Sequence, residues 1–206
     1  MKPASETLSK VLSMAPKVVA ADGGADHAFA AGLTPEAVIG DMDSISGAAR
    51  DAFQDVLHPI AEQNSTDFDK ALRHIDAPVV LGLGFLGERF DHSLAALHVL
   101  LKYRARPVVL IGDQDVVFIC PPKIALTLPV GMRISLMPIT PSRVDTDGLK
   151  WDVLDGAMSM NDFIGSSNEV AKPLVTICAT GGLAILTPLA ALGSVVAALT
   201  DAAPAG

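Results

Sequence analysis

Ala21-Asp22-Gly23-Gly24-Ala25-Asp26 is the stretch that decides how this chain is read, together with the two blocks that follow it. These are Gly40-Asp41-Met42-Asp43-Ser44 and Gln63-Asn64-Ser65-Thr66-Asp67-Phe68-Asp69-Lys70. Each block places an aspartate where a short apolar run stops. The runs are residues 18–21, 37–39 and 56–61. In α/β domains, ligands gather at the carboxyl ends of parallel strands. Asp22, Asp41, Asp43 and Asp67 are therefore expected at one rim. Converging carboxylates repel unless a cation or a proton offsets them, which points to a Mg²⁺ site. Asp and Gly are also ordinary turn residues. Three such blocks in series go beyond what turn chemistry requires.

Outward from these blocks, the pattern alternates. Leu8, Val11 and Leu12 share one face of an expected helix over 5–15, which Pro16 ends. A strand over 17–21 leads through Gly23-Gly24 into a small-residue helix over 25–31, closed by Gly32. Strand 37–40 precedes a helix over 47–53 capped by Ser46. A weaker strand over 55–61 precedes a helix over 67–75. Ser65 or Thr66 caps that helix, with Asp67 and Asp69 in its positive first turn. Strands 78–83 and 107–111 flank a helix over 93–103. This order predicts a parallel sheet covered on both faces.

Gly112-Asp113-Gln114-Asp115 is a turn and the expected domain boundary, giving 1–114 and 115–206. Beyond it, β-like runs at 116–120, 124–128, 133–137 and 143–146 are separated by turns, as in an antiparallel sandwich or roll. Residues 174–199 carry no charge, but Thr180-Gly181-Gly182 reads as a hairpin turn between strands 175–179 and 183–186. A helical or loosely packed apolar tail follows. The fold class expected is α/β plus all-β: a parallel, Rossmann-like N-terminal domain and a C-terminal antiparallel β-sandwich.

Composition narrows the function classes. The chain is 50% hydrophobic and 18% charged, enough for a large core. Its net charge of −8 argues against nonspecific nucleic-acid or anionic-membrane binding. A phosphate ligand is still compatible, because it needs only local donors or a metal. Cys120 and Cys178 match no zinc spacing, and the N-terminus has no apolar signal core. A reduced, cytoplasmic setting is the expectation.

Gly82, Gly84 and Gly87 fit G-x-G-x-x-G after a strand and before a helix. The acidic ribose partner about 20 residues on is missing. Those glycines still suit close backbone approach to a ligand, with Arg89 and His92 as phosphate donors. The alternative pairs Arg89 with Asp91 as a structural ion pair. Lys70 lies three residues after Asp67, on the same helix face; it balances the carboxylates, touches phosphate or forms an ordinary helix ion pair. Trp151 is a core residue or a ligand platform, and Ser166-Ser167-Asn168 a polar ligand site or a turn. Nucleophilic-serine, zinc-protease and P-loop motifs are absent.

Taken together, A-D-G-G-A, G-D-M-D-S, Q-x-x-T-D-F-x-K, G-x-R-F-D-H, G-L-K-W and S-S-N, in this order, resemble the thiamine pyrophosphokinase family. The resemblance implies transfer of the pyrophosphoryl group of ATP to thiamine, with Mg²⁺. It implies a homodimer with the site at the subunit interface. Asp22, Asp41, Asp43 and Asp67 would be metal and phosphate carboxylates, with Asp43 or Asp67 accepting the hydroxyl proton. Gly23, Gly24, Lys70, Gly84, Arg89, Asp91 and His92 would belong to the ATP region. Gln63 would contact thiamine. Trp151 would stack on it, beside Ser167 and Asn168. Two features depart from the family pattern: the first ten residues show no opening strand, and Asn64 stands where an acidic residue is common. Other readings that fit the same residues are a pyrophosphokinase for another heteroaromatic alcohol, such as a pterin, and a non-catalytic nucleotide-binding module.

Overall fold

The computed structural model describes residues 5–87 and 89–202. The first residues of the N-terminal segment, Glu88 of the glycine-rich stretch and the last four residues of the tail lie outside the described residues. The chain divides into two compact units, Met1–Ala77 and Pro78–Gly206.

In the first unit, short apolar runs become parallel strands: β1 (Val19–Ala21), β2 (Ala37–Gly40) and β3 (Leu57–Pro59), paired in that order. Helices α1 (Ser5–Met14), α2 (Gly24–Ala30), α3 (Gly47–Ala52) and α4 (Asp67–His74) separate or flank them. The caps are those the sequence signals. Ser46 accepts a hydrogen bond from the Ala49 N–H, and Thr66 one from the Asp69 N–H. Each satisfies an amide that has no partner within its helix. Ala20, Ala25, Ala28, Val38, Met42, Ile45, Ala49 and Phe53 form one apolar cluster. Phe29 meets Phe53 edge-on at 6.2 Å. Helix α4 packs on β1 and β2 and buries Phe68, Ala71 and Leu72, so its N-terminus is carried by a packed element rather than by a free loop.

In the second unit, β4 (Val80–Leu83) and β5 (Val108–Ile111) are parallel, joined through α5 (Phe90–Lys102). They do not extend the β1–β3 sheet. Among the described residues they instead form one edge of a six-stranded mixed sheet, β11-β8-β13-β6-β5-β4. Its other members are β6 (Asp115–Ile119), β8 (Arg133–Pro138), β11 (Gly165–Glu169) and β13 (Leu183–Pro188). The expectation of one parallel sheet is therefore corrected. The reason lies in β5, whose second edge pairs antiparallel with β6 immediately across the turn at 112–115. That turn lies inside the second unit.

A second, antiparallel sheet runs β10-β9-β12-β7, from β7 (Lys123–Thr127), β9 (Ser142–Asp147), β10 (Gly156–Met158) and β12 (Leu174–Ala179). Strict alternation of buried and exposed residues in β7 and β9 gives it one inward face. The predicted hairpin of β12 with β13 does not form. Both edges of β12 are taken by β7 and β9, and both edges of β13 by β6 and β8. Thr180-Gly181-Gly182 instead passes the chain from one sheet to the other, with Gly181 at φ +82°. The apolar tail is a 3₁₀ turn and then α6 (Leu192–Ala202), which buries Leu192, Val195 and Leu199 and packs against β7. Among the described residues no helix is long and apolar enough to cross a membrane.

Candidate active site

The ends of β1 and β2 bring Asp22, Asp41 and Asp43 together: one carboxylate oxygen of each lies within 4.8 Å of the others. Gly40 makes this possible, because a Cβ there would stand 2.7 Å from the Asp22 Cβ and 3.1 Å from Asp67 Oδ1. Any side chain at Gly40 would push the first and third aspartate blocks apart.

Asp22 is buried and has φ +40°, a left-handed backbone that costs a non-glycine residue energy. Its Oδ2 accepts from the Ser44 N–H at 3.2 Å, whereas its Oδ1 is buried without a hydrogen-bond partner. Burial, then Ser44 acting in the opposite sense and the nearby Asp67 charge, leave its pKa raised. A buried acceptor of this kind costs free energy unless something fills its lone pairs. A hard divalent cation fits this all-oxygen donor set.

The rim is tied from several sides. Asp41 is held below the usual carboxylate range, first by the Gln63 amide, whose Nε2 donates to Oδ2 at 2.8 Å. Asp43 Oδ1 accepts from Ser44 Oγ at 2.7 Å. Asp26 accepts from the Ser46 N–H at 3.0 Å and from the Ser46 hydroxyl, fastening the loop after β2 to α2. Asp67 stands outside the group of three, and its Oδ1 takes the Lys70 ammonium at 2.9 Å.

Lys70 is among the most buried side chains of the protein and also reaches Asp41 Oδ2 at 3.6 Å. Burial alone would lower its pKa, but Asp67, Asp41 and Glu62 outweigh that and raise it. It is therefore a fixed positive charge beneath the rim. Its contacts to Asp67 and Asp41 are those expected both of a charge that balances the rim and of a helix ion pair.

Sequence reasoning missed the device that holds the third block. Glu62 accepts from the Asn64 N–H at 2.7 Å, from the Ser65 hydroxyl and from Arg73 Nη2 at 2.7 Å. Arg73 also donates to Ser65 Oγ and lies 3.5 Å from Asp69. Arg73 lies six residues after Asp67 on α4, and the loop that precedes the helix folds back onto it. The Ser65 hydroxyl, followed by Arg73, holds Glu62 at about 2 instead of the ordinary 4.5. A carboxylate depressed on folding stabilises the fold fully above its unfolded pKa, and that contribution is lost as pH falls through the folded value. The stability difference between the protein and Glu62→Gln should therefore be constant near neutrality, narrow below about pH 4.5 and close near pH 2. Denaturant titrations across this range read it directly; a gap that does not narrow refutes the clamp.

The second unit carries the remaining candidates. Gly82 packs against β5, where a Cβ would meet Leu110 at 3.0 Å, and Gly84 has φ +84°. Arg89, Asp91 and His92 are exposed at the start of α5. Arg89 and Asp91 form a forked ion pair, with Nε–Oδ1 at 3.2 Å and Nη2–Oδ2 at 2.6 Å. Trp151 is 59% exposed, so it is not a core residue and its indole lies at the surface.

Asn168 is buried and turned toward the Trp151 backbone. Its Nδ2 donates to the Trp151 carbonyl at 2.8 Å, and its Oδ1 accepts from the Trp151 N–H at 3.3 Å. Ser167 is exposed at φ +56°, with its N–H on Ser135 Oγ at 3.0 Å. Asp152, also missed, accepts from the Thr146 hydroxyl and from the Gly148 and Leu149 N–H groups, closing the loop that presents Trp151. Gly148 has φ +100°, and a Cβ there would sit 2.5 Å from the Leu174 carbonyl oxygen, so both its backbone and its surroundings require glycine.

Fold and site together define a two-part α/β protein with an acidic, cation-compatible rim on its parallel unit and an exposed indole on its strand-rich unit. The model described as thiamin pyrophosphokinase, catalytic domain, matches residues 8–115, and the one described as thiamin pyrophosphokinase, vitamin B1 binding domain, matches residues 123–183. The chain belongs to the thiamin pyrophosphokinase family. The two matched regions divide near the turn at 112–115, whereas the compact units divide at Ala77/Pro78. Thiamine pyrophosphokinase 2 of Arabidopsis thaliana is 31% identical over 163 residues, which cover 69% of this chain and 61% of that protein. This chain thus aligns with less than two thirds of that relative's length. In fold it is similar to thiamin pyrophosphokinase from Candida albicans, with a TM-score of 0.77 at 17% identity, covering 91% of this chain and 86% of the other. The yeast thiamin pyrophosphokinase structure matches with a TM-score of 0.77 at 18% identity, over 98% of this chain and 86% of that one.

Proposed function

We propose that this protein transfers the pyrophosphoryl group of ATP to the hydroxyl of thiamine, giving thiamine diphosphate and AMP, with Mg²⁺ as the metal. The observation that carries this reading is the triad of Asp22, Asp41 and Asp43 around a buried, unpartnered Asp22 oxygen, in a chain of this family. Bound there, Mg²⁺ would neutralise phosphate oxygens as charge develops on them. The protein's own contribution is positioning and electrostatics, which is most of what phosphoryl-type transfer requires.

In this scheme Asp22, Asp41 and Asp43 hold the metal, and Asp67 adjoins them with Lys70 as its counter-ion. Asp43 or Asp67 accepts the proton of the thiamine hydroxyl. Gly23, Gly24, Gly84, Arg89, Asp91 and His92 serve ATP. Gln63, Ser167 and Asn168 belong to the acceptor side, Asn168 by bracketing the Trp151 peptide. The cationic thiazolium ring stacks on Trp151, an arrangement worth on the order of 1–2 kcal/mol when water is excluded.

The proposal extends to architecture: a Rossmann-like first part, supported by the parallel β–α pattern, and a β-sandwich second part, supported by the one-sided burial of β7 and β9. It also includes a cytoplasmic homodimer with the site at the subunit interface. Exposed Leu154, Met160, Phe163 and Ile164, close in sequence to Trp151, are the apolar surface a partner subunit would cover. Both cysteines are free thiols, in keeping with a reducing compartment.

The test is AMP release from ATP, thiamine and Mg²⁺, with thiamine diphosphate identified as co-product. Trp151→Ala should raise KM for thiamine about tenfold and leave KM for ATP unchanged. Absence of AMP under these conditions refutes the activity. An unchanged thiamine KM in the variant removes Trp151 from the acceptor site.

A further inference from the structure

The Trp151 indole already carries a cation: the Lys150 ammonium lies over it, 4.9 Å from the ring centroid. Lys150 is held there from below. Its backbone N–H donates to the Glu169 carbonyl at 2.8 Å, and its Nζ lies 3.5 Å from Glu169 Oε2. Leu149 and Val170 form the adjoining β-bridge, so Lys150 and Glu169 stand side by side on neighbouring backbones. Trp151 itself is fixed through Asn168, which accepts from its backbone N–H and donates to its carbonyl. The backbones that carry the indole, the cation and its anion are therefore tied to one another.

We propose that Lys150 is a tethered internal competitor for the indole face, displaced toward Glu169 when a cationic acceptor binds, and that it sets the acceptor affinity. This rests on the reading of Trp151 as the thiamine platform. The thiazolium of thiamine is a permanent cation. Two cations cannot share one aromatic face, because each is drawn to the same negative quadrupole while repelling the other. Binding of thiamine must therefore first break the Lys150–indole contact. Glu169 offers the displaced ammonium an anion within reach, so the exchange does not strand a charge. A neutral heteroaromatic ring must break the same contact but feels no repulsion from the nearby ammonium, so it gains less from removal of the Lys150 charge.

The experiment uses the full-length protein and the emission of Trp151, the only tryptophan in the sequence. Lys150→Gln should lower KM for thiamine and tighten its quenching of Trp151 emission about two- to fivefold, the scale of an exposed cation–π contact. The turnover number should stay within about twofold, since Lys150 touches no reacting group. Lys150→Arg, which keeps a cation over the ring, should restore the original thiamine affinity. The neutral alcohol 5-(2-hydroxyethyl)-4-methylthiazole should gain less from Lys150→Gln than thiamine does. Unchanged or weaker thiamine binding in Lys150→Gln, while the unaltered protein turns thiamine over, overturns the inference alone. Equal gains for thiamine and the neutral thiazole also overturn it, because they would show relief of bulk rather than of charge. If the unaltered protein releases no AMP and its emission ignores thiamine, both the inference and the functional reading fail.

Discussion

Asp43→Asn lowers the rate of AMP release by about two to three orders of magnitude, the scale set by losing one charge-stabilising group from a preorganised site. The fold should not notice. Asp43 is exposed, and its hydrogen bond from Ser44 Oγ at 2.7 Å can be kept by an asparagine oxygen. What is removed is a negative charge beside Asp22 and Asp41. The Mg²⁺-dependent rise in melting temperature should shrink as well, since a ligand stabilises the fold by an amount that falls as its dissociation constant rises. The metal-free melting temperature should be unchanged or slightly higher, because mutual repulsion within the triad falls. Turnover near that of the unaltered protein would remove Asp43 from the metal site, whatever the fold does.

Lys70→Met gives the opposite pattern, a large loss of stability with an ion-dependent remedy. The Lys70 side chain is 1% exposed, and it bridges Asp67 at 2.9 Å and Asp41 at 3.6 Å. Methionine matches its length and packing but not its charge. Breaking a buried ion pair from one side leaves carboxylates uncompensated and costs about 3 to 5 kcal/mol. Part of that cost belongs to Asp41 and Asp67, which remain partly open to water, so the lower figure is expected. Millimolar Mg²⁺ should recover a larger share of the loss than it adds to the unaltered protein, because a cation at the rim takes over the missing charge. Urea unfolding with and without Mg²⁺ measures both numbers. A loss under about 1 kcal/mol would show that Lys70 is an ordinary helix ion pair.

Much of the local structure was legible because it depends on neighbours in the chain. Strand β2, the Ser46 and Thr66 caps and the extent of α4 follow from apolar runs, hydroxyl side chains and charge placed within a few residues. The convergence of Asp22, Asp41 and Asp43 was legible for a related reason: parallel strands separated by helices bring their carboxyl ends to one edge. Strands β10 and β11 escaped notice because Gly156–Met158 and Gly165–Glu169 lack a clear apolar alternation. The β12–β13 hairpin was a reasonable expectation from Thr180-Gly181-Gly182, and tertiary pairing overrode it. A turn dictates a reversal of direction, but it does not dictate which edge the next strand finds.

The sequence by itself determined the acidic blocks, their place at strand ends and the family they mark, because each of these is a matter of short-range order along the chain. Tertiary structure alone decided what the charges do. It buried Lys70 beneath the rim, left one Asp22 oxygen without a partner, folded Glu62 onto Arg73 and set Lys150 over Trp151. The physical reason is that the energy of a charge depends on its desolvation and on its distance to other charges, and both are set by which distant segments pack together. Spacing along the chain carries neither quantity.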